Sequence, residues 1–168
     1  VIGVVGTAPD ADPAEFPLNT PVLVLGSRAK AAMLDTVGNG AGTLPAAMDA
    51  ILDQIGARIV VVRVAEDADP ATQDANIIGT VDGNGDSSGL EALKDAQAEL
   101  GVKPRIIGVP GGLDDSQPVA DAIATVTEHL NGFCYVYADA ETKEEAVTYR
   151  GNFGSKYMML LWPKAKYF

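Results

Sequence analysis

Ile59-Val60-Val61-Val62-Arg63-Val64 is the stretch of this 168-residue chain that decides its fold. The run is β-branched and apolar at every position except Arg63. Apolar character at consecutive positions is typical of a strand that is buried on both faces of a parallel sheet. Val22–Leu25 is a similar but shorter apolar run. Further strands are predicted at Val1–Val5, Arg105–Val109, Phe133–Tyr137 and Tyr157–Trp162.

Amphipathic helices are predicted between these strands. One apolar stripe with helical spacing consists of Met48, Ile51, Leu52 and Ile55, and another of Leu90, Leu93, Gln97 and Leu100. Ser116 is placed to cap a later helix, and Thr142 and Glu145 form a capping box. The alternation predicts an α/β fold with a mostly parallel sheet and helices on both faces. The predicted core residues are Ile51, Leu52, Val60, Val62, Ile107, Val136 and Leu160.

The amino-terminal part of the chain is rich in proline. Pro9, Pro13, Pro17 and Pro21 stand in a short acidic stretch. Because proline fixes φ and removes a backbone donor, we predict that this stretch is extended and exposed. We therefore predict two parts, an extended N-terminal segment at residues 1–21 and an α/β core domain at residues 22–168. Since the sequence starts without Met and stops within an apolar stretch, we expect a piece of a longer chain.

Composition restricts the partners of this protein. The formal net charge is −11 and the sequence pI is about 4.3. Such a surface repels phosphate backbones, so nucleic-acid binding is not expected. No apolar run approaches the ~18 residues of a membrane span, so membrane insertion is not expected either. The basic residues near the end, Lys156, Lys164 and Lys166, are expected to face solvent or an acidic partner surface.

Few residues are available for catalysis. His129 is the one histidine and is predicted to face solvent from a helix, and Cys134 is the one cysteine and lies in an apolar run. Acid–base and nucleophilic mechanisms depend mostly on such groups. Asp82–Ser88 has the beginning of a calcium loop but lacks the glutamate that would complete it. We therefore predict no catalytic residue, no cofactor and no metal ion.

An alternative hypothesis depends on carboxylates that follow the predicted strands. Asp114 and Asp115 follow the strand at Arg105–Val109, and Asp139 follows the strand at Phe133–Tyr137. Ligands of open parallel sheets gather at the carboxyl ends of the strands, and carboxylates bind Mg²⁺. These three residues could serve a Mg²⁺-dependent hydrolase or phosphotransferase. The simpler interpretation of Asp115 and Asp139 is as turn and cap residues of the following helices. A flavodoxin-like module that binds a small ligand without catalysis is a third possibility.

Seven short stretches, taken in order along the chain, carry a family resemblance. They are Val4–Pro9, Phe16–Val24, Gly42–Ile51, Val60–Val64, Gly101–Gly111, Tyr149–Ser155 and Leu161–Pro163. Together they resemble the contractile tail sheath proteins of bacteriophages and prophages. The stretches extend over nearly the whole sequence, and it is their order, not any single one of them, that carries the resemblance.

The resemblance implies a structural subunit of the virion and not an enzyme. Sheath subunits of that family polymerise in a helix around the tail tube inside the host cytoplasm, joined by extended terminal arms. Their contraction drives the tube through the host envelope. The resemblance also implies a subtilisin-like α/β fold without the catalytic triad. The partners that it implies are other sheath subunits and the tail tube protein. The C-terminal domain and arm of the family have no counterpart up to Phe168.

Overall fold

The apolar run that begins at Ile59 forms the strand next to one edge strand of a six-stranded sheet. The computed structural model describes residues 1–163. Its strands are β1 (Ile2–Thr7), β2 (Pro21–Leu25), β3 (Arg58–Val64), β4 (Ile106–Gly108), β5 (Phe133–Tyr137) and β6 (Met158–Leu161). They are ordered β2-β3-β1-β4-β5-β6 across the sheet. Only β2 runs antiparallel to its neighbour, so the predicted α/β class with a mostly parallel sheet is confirmed.

Helices connect the strands as the sequence pattern predicts. They are α1 (Arg28–Ala31), α2 (Leu44–Gln54), α3 (Pro70–Ile78), α4 (Ala96–Leu100), α5 (Gln117–Leu130) and α6 (Lys143–Arg150). Ser116 caps α5, and Thr142 with Glu145 forms the predicted capping box of α6. The stripe from Leu90 to Leu100 is not one helix. It forms a 3-10 turn at Glu91–Lys94 and then the short α4, which ends at the left-handed Gly101.

Two apolar cores lie on opposite faces of the sheet. Successive residues of a strand point to opposite faces, so Val60 and Val62 belong to one core and Ile59 and Val61 to the other. The larger core packs α3, α5 and the 3-10 turn at Glu91–Lys94 against the sheet. The smaller core packs α1 and α2 against β1, β2 and β3. The predicted arrangement of helices on both faces is therefore confirmed.

Five of the seven predicted core residues are buried. Ile51 and Leu160 are only half-buried, and both pack at the margin of a core. Leu160 is half-buried because it lies on β6, which forms an edge of the sheet. Val22–Leu25, which looked like a short apolar run, lies in the antiparallel edge strand β2. Lys164 and Lys166 lie outside the described residues, and the predicted subtilisin-like character of the fold stays a prediction.

The proline-rich segment differs from its prediction. Ala8, Ala11 and Phe16 are buried in the smaller core, so the segment is not exposed along its length. Pro9 and Pro13 lie in turns and Pro21 begins β2, while apolar residues between the prolines fold back onto the sheet. The Arg63 side chain holds it there: Nε donates to the Phe16 carbonyl at 2.7 Å and Nη1 to the Ala8 carbonyl at 3.3 Å.

Strand β1 also belongs to the core sheet. It pairs with β3 over six residues and with β4 over three, at the centre of the strand order. A boundary at residue 21 would separate this strand from both neighbours. The predicted N-terminal segment at residues 1–21 is thus integrated with residues 22–163, whereas the idea that this region belongs to a longer chain stays a prediction.

Candidate functional site

The crevice where an open α/β sheet usually binds ligands lies between β1 and β4. The chain leaves β1 towards β3 on one side, and reaches β4 on the other side only after β3, which makes this the switch point of the sheet. Thr43, at the start of α2, lies at this crevice and is hydrogen-bonded to the end of β1. Its Oγ1 accepts a hydrogen bond from the Thr7 N–H at 3.1 Å, and its own N–H donates to the Thr7 carbonyl at 2.9 Å.

Two glycines make room for Thr43. A Cβ atom on Gly6 would collide with the Thr43 hydroxyl, and one on Gly111 would collide with the Thr43 methyl group. Gly111 also has a φ of +82°, which favours glycine. The loop after β4 therefore closes directly over the first turn of α2. Thr43 and Gly111 are thus in close contact at the switch point, and both also line a groove that lies beside it.

Asp114 ties two loops of the sheet edge together. Its side chain is buried, and its Oδ2 accepts a hydrogen bond from the Tyr137 N–H at 2.8 Å. The carboxylate thus joins the loop after β4 to the end of β5. Asp114 thus has a structural hydrogen bond, as buried polar side chains generally do.

The three carboxylates of the magnesium hypothesis lie near a tyrosine hydroxyl. Burial raises the pKa of Tyr149 to about 12, and the negative charges of Asp139, Asp121, Asp114 and Asp115 add to the increase. Asp115 is half-buried and Asp139 is exposed. Within residues 1–163, no group of three or more His, Cys, Asp or Glu side chains is arranged to hold a metal ion.

The loop that resembles a calcium site uses its oxygens internally. Asp82 Oδ1 accepts hydrogen bonds from the Asn84 N–H at 2.8 Å and the Asp86 N–H at 2.9 Å. These backbone donors, that of Asp86 first, lower the pKa of the Asp82 carboxyl. The loop is therefore an exposed turn that is closed by its own carboxylate.

His129 and Cys134 are placed as predicted. His129 is exposed near the end of α5. Cys134 is fully buried in β5, and its Sγ lies 3.6 Å from the Tyr157 carbonyl oxygen. Burial raises the pKa of the Cys134 thiol, so this side chain stays protonated near neutral pH and is a poor nucleophile.

On one face of the sheet, the described helices leave the half formed by β4, β5 and β6 open. Its residues point to the same side as Ile2 and Val4, but α1 and α2 pack on that side against β1, β2 and β3. Ile106 is 44% exposed, Tyr135 45% and Met159 48%. We call this surface the open face; it consists of Ile106, Phe133, Tyr135, Tyr137, Met159 and Leu161.

Sequence reasoning missed the open face. β5 was predicted as a uniformly apolar strand, but its buried residues are Cys134 and Val136, and the aromatic residues alternate with them. That alternation of Phe133, Tyr135 and Tyr137 with smaller residues was the available signal, because tyrosine combines an apolar body with a polar tip. A groove of about 700 Å³ continues the open face towards α2, between Ala47 and Tyr137.

These features define an α/β domain whose polar groups secure its own loops and whose most distinctive surface is apolar. None of the helices in residues 1–163 has the length and apolar character needed to cross a membrane. Residues 1–64 match the family described as tail sheath protein Gp18 domain III, N-terminal region.

Two relatives extend the match along the chain. Over 97% of its length, this chain is 41% identical to the tail sheath protein of Escherichia phage P2. It is 39% identical, over the same share, to the major tail sheath protein of Serratia phage KSP20. The chain belongs to the phage tail sheath protein family. It spans 41% of the length of each of these two relatives.

Proposed function

We propose that this chain is the central part of a structural subunit of a contractile phage tail sheath. The subunit polymerises around the tail tube, and contraction of the sheath drives the tube through the host envelope. The observation that carries this proposal is the similarity to tail sheath proteins, which continues over 97% of the chain. An open helical polymer needs heterologous contacts between identical subunits, which an exposed and rigid α/β body can provide.

The proposal includes the partners and the location. The partners are other sheath subunits and the tail tube protein, and assembly takes place in the host cytoplasm before the virion is complete. Nucleic acid is not a partner, because a net charge of −11 opposes binding to a phosphate backbone. We propose no enzymatic activity, which agrees with the burial and the raised pKa of the Cys134 thiol.

A hybrid subunit tests the assembly role. In the P2 tail sheath protein, the matched region is replaced by this chain, and the hybrid is supplied to P2 phage that lacks its own sheath protein. Electron microscopy should show sheathed tails that contract. A matched control carries Val62→Asp, which buries an unpaired charge in β3 and should abolish folding. Bare tail tubes in the presence of a folded hybrid would contradict the proposal.

Thermal unfolding tests the alternative enzyme hypothesis. A specific ligand present at about 100 times its Kd stabilises a protein by about 2.7 kcal/mol. We expect no such stabilisation by Mg²⁺ or nucleotides. Stabilisation by Mg²⁺ that is lost in Asp114→Asn or Asp139→Asn would instead favour the hydrolase or phosphotransferase.

A further inference from the structure

The open face is the feature of this chain that its proposed role leaves unexplained. Layered α/β folds cover both faces of a sheet, and here α2 covers the half of the sheet formed by β1 and β3. The other half of the same face presents Ile106, Tyr135 and Met159, each more than two-fifths exposed. No residue of the open face is charged. An apolar surface of this kind marks a place where another element packs.

The groove beside the open face has a shape in which a helix could pack. Its wall on α2 consists of Ala46, Ala47 and Ala50, and its opposite wall of Pro110, Gly111 and Tyr137. Small residues on α2 let a second helix approach closely, at the 8–10 Å that is usual between packed helices. A helix lying there, alongside α2, would continue the helical layer over β4, β5 and β6.

The residues of the open face and the groove also indicate which side chains this helix should carry. Its side towards the sheet must be apolar, because it meets the aromatic rings of β5. Its side towards α2 should carry a basic residue, because Asp53 lines the groove and the chain as a whole is acidic. Asp53 already pairs with Arg28 at 2.6 Å, but both side chains of that pair are more than half exposed and can accept a further partner.

We propose that, in the full-length tail sheath protein, this open face is covered by an amphipathic helix of the same subunit that lies outside these 168 residues. The P2 relative has such sequence, because 97% of this chain corresponds to only 41% of that protein. β6 forms the edge of the open face, and its Met159 and Leu161 lie within it, so sequence that follows β6 has a short distance to travel.

The open face is uncharged and apolar. This character favours a permanently packed helix rather than a contact between subunits. Permanent interfaces are the more hydrophobic ones, and contacts that rearrange are more polar. This step rests on the proposed function, because contraction requires that contacts between sheath subunits rearrange. A helix of the same subunit can remain in place throughout contraction.

Thiol labelling tests the proposal. In a Cys134→Ala background, Tyr135→Cys places a single thiol on the open face, and the control Val37→Cys places one on a loop residue that is 68% exposed. Both are introduced into the 168-residue chain and into the hybrid subunit kept monomeric at low concentration. Labelling of Tyr135→Cys should be at least about tenfold slower in the hybrid monomer than in the chain, as expected for a packed position. Labelling of Val37→Cys should stay fast in both.

Two results would overturn the proposal. Equal labelling of Tyr135→Cys in the chain, the hybrid monomer and the assembled sheath would mean that nothing covers the open face. If Tyr135→Cys is protected from labelling only in the assembled sheath, a neighbouring subunit covers the open face. If Tyr135→Cys does not fold, Met159→Cys is the second probe. If the hybrid does not fold, the P2 protein with a thiol at the aligned position replaces it. Failure of the proposed function is seen separately, as absence of sheathed tails.

Discussion

Arg63 is the one interruption of the apolar run in β3, and its role is to hold backbone in place. Its guanidinium donates to the carbonyls of Phe16 and Ala8, which belong to the proline-rich segment. Burial lowers the pKa of Arg63, but a guanidinium keeps its charge over the whole physiological range. Asp114 has a similar role between the loop after β4 and the end of β5. At both positions, a charged side chain satisfies backbone groups of a neighbouring loop.

Asp114→Ala should destabilise the domain. The substitution leaves the Tyr137 N–H without its acceptor, and an unsatisfied buried donor costs about 1–3 kcal/mol. Urea unfolding followed by circular dichroism measures the change. The matched control is Asp139→Ala, whose side chain is exposed and whose loss should change the unfolding free energy by less than about 0.5 kcal/mol. Equal effects of the two substitutions would contradict the structural role of Asp114.

Tyr149 should make stability fall at high pH. Its pKa is about 12 in the folded protein, whereas an unfolded tyrosine has a pKa of about 10. Between these values the unfolded chain has lost the phenolic proton and the folded one keeps it, so the free energy of unfolding decreases as pH rises. Unfolding titrations from neutral to alkaline pH should show this decrease in the parent and a smaller one in Tyr149→Phe. An identical pH dependence in the two proteins would show that Tyr149 is not the cause of the alkaline loss of stability.

At the scale of elements, the sequence predicted most helices and strands because their signals are local. Apolar runs, the helix caps at Ser116 and Thr142, and Gly101 each act within a few residues. The prediction that the proline-rich segment is exposed was wrong for a physical reason. Proline excludes regular structure but does not decide whether the residues between the prolines are buried, and Phe16 is buried through contacts with residues far away in the sequence.

Phe16→Ala should destabilise the protein as a core substitution does. Phe16 is 1% exposed, and removal of a buried phenylalanine side chain costs about 3–5 kcal/mol. The control in the same segment is Leu18→Ala, at a residue that is 45% exposed, where a change below about 1 kcal/mol is expected. Chemical denaturation of both variants provides the comparison. A negligible effect of Phe16→Ala would restore the prediction of an exposed segment.

The candidate site was only partly predictable from the sequence. His129 and Cys134 could be assigned because each lies in a clear helical or strand pattern. The hydrogen bond from the Tyr137 N–H to Asp114 could not be predicted, because the two residues are far apart in the sequence. The open face could not be predicted. Apolar residues on a strand look the same whether or not a helix covers them, and coverage depends on the strand order and on where α2 ends its contact with the sheet.

On its own, the 168-residue chain should form monomers or small oligomers and not tubes. A net charge of −11 opposes association at low salt, and screening of that charge should allow limited association through the open face. Sedimentation velocity at low and physiological salt, with negative-stain microscopy, measures this. Tubes formed by the chain alone would mean that its own surfaces are sufficient for polymerisation.

The parallel arrangement of β1, β4, β5 and β6 has a mechanical consequence. The amino end of β1 and the carboxyl end of β6 lie at opposite ends of the sheet, so tension between them loads the intervening ladders in shear, and each ladder must break as a unit. β4 and β5 are joined by two residue pairs, against three for β1 with β4 and four for β5 with β6. Single-molecule pulling should therefore separate the sheet between β4 and β5 first, and a helix packed across these two strands would raise the force that their separation requires.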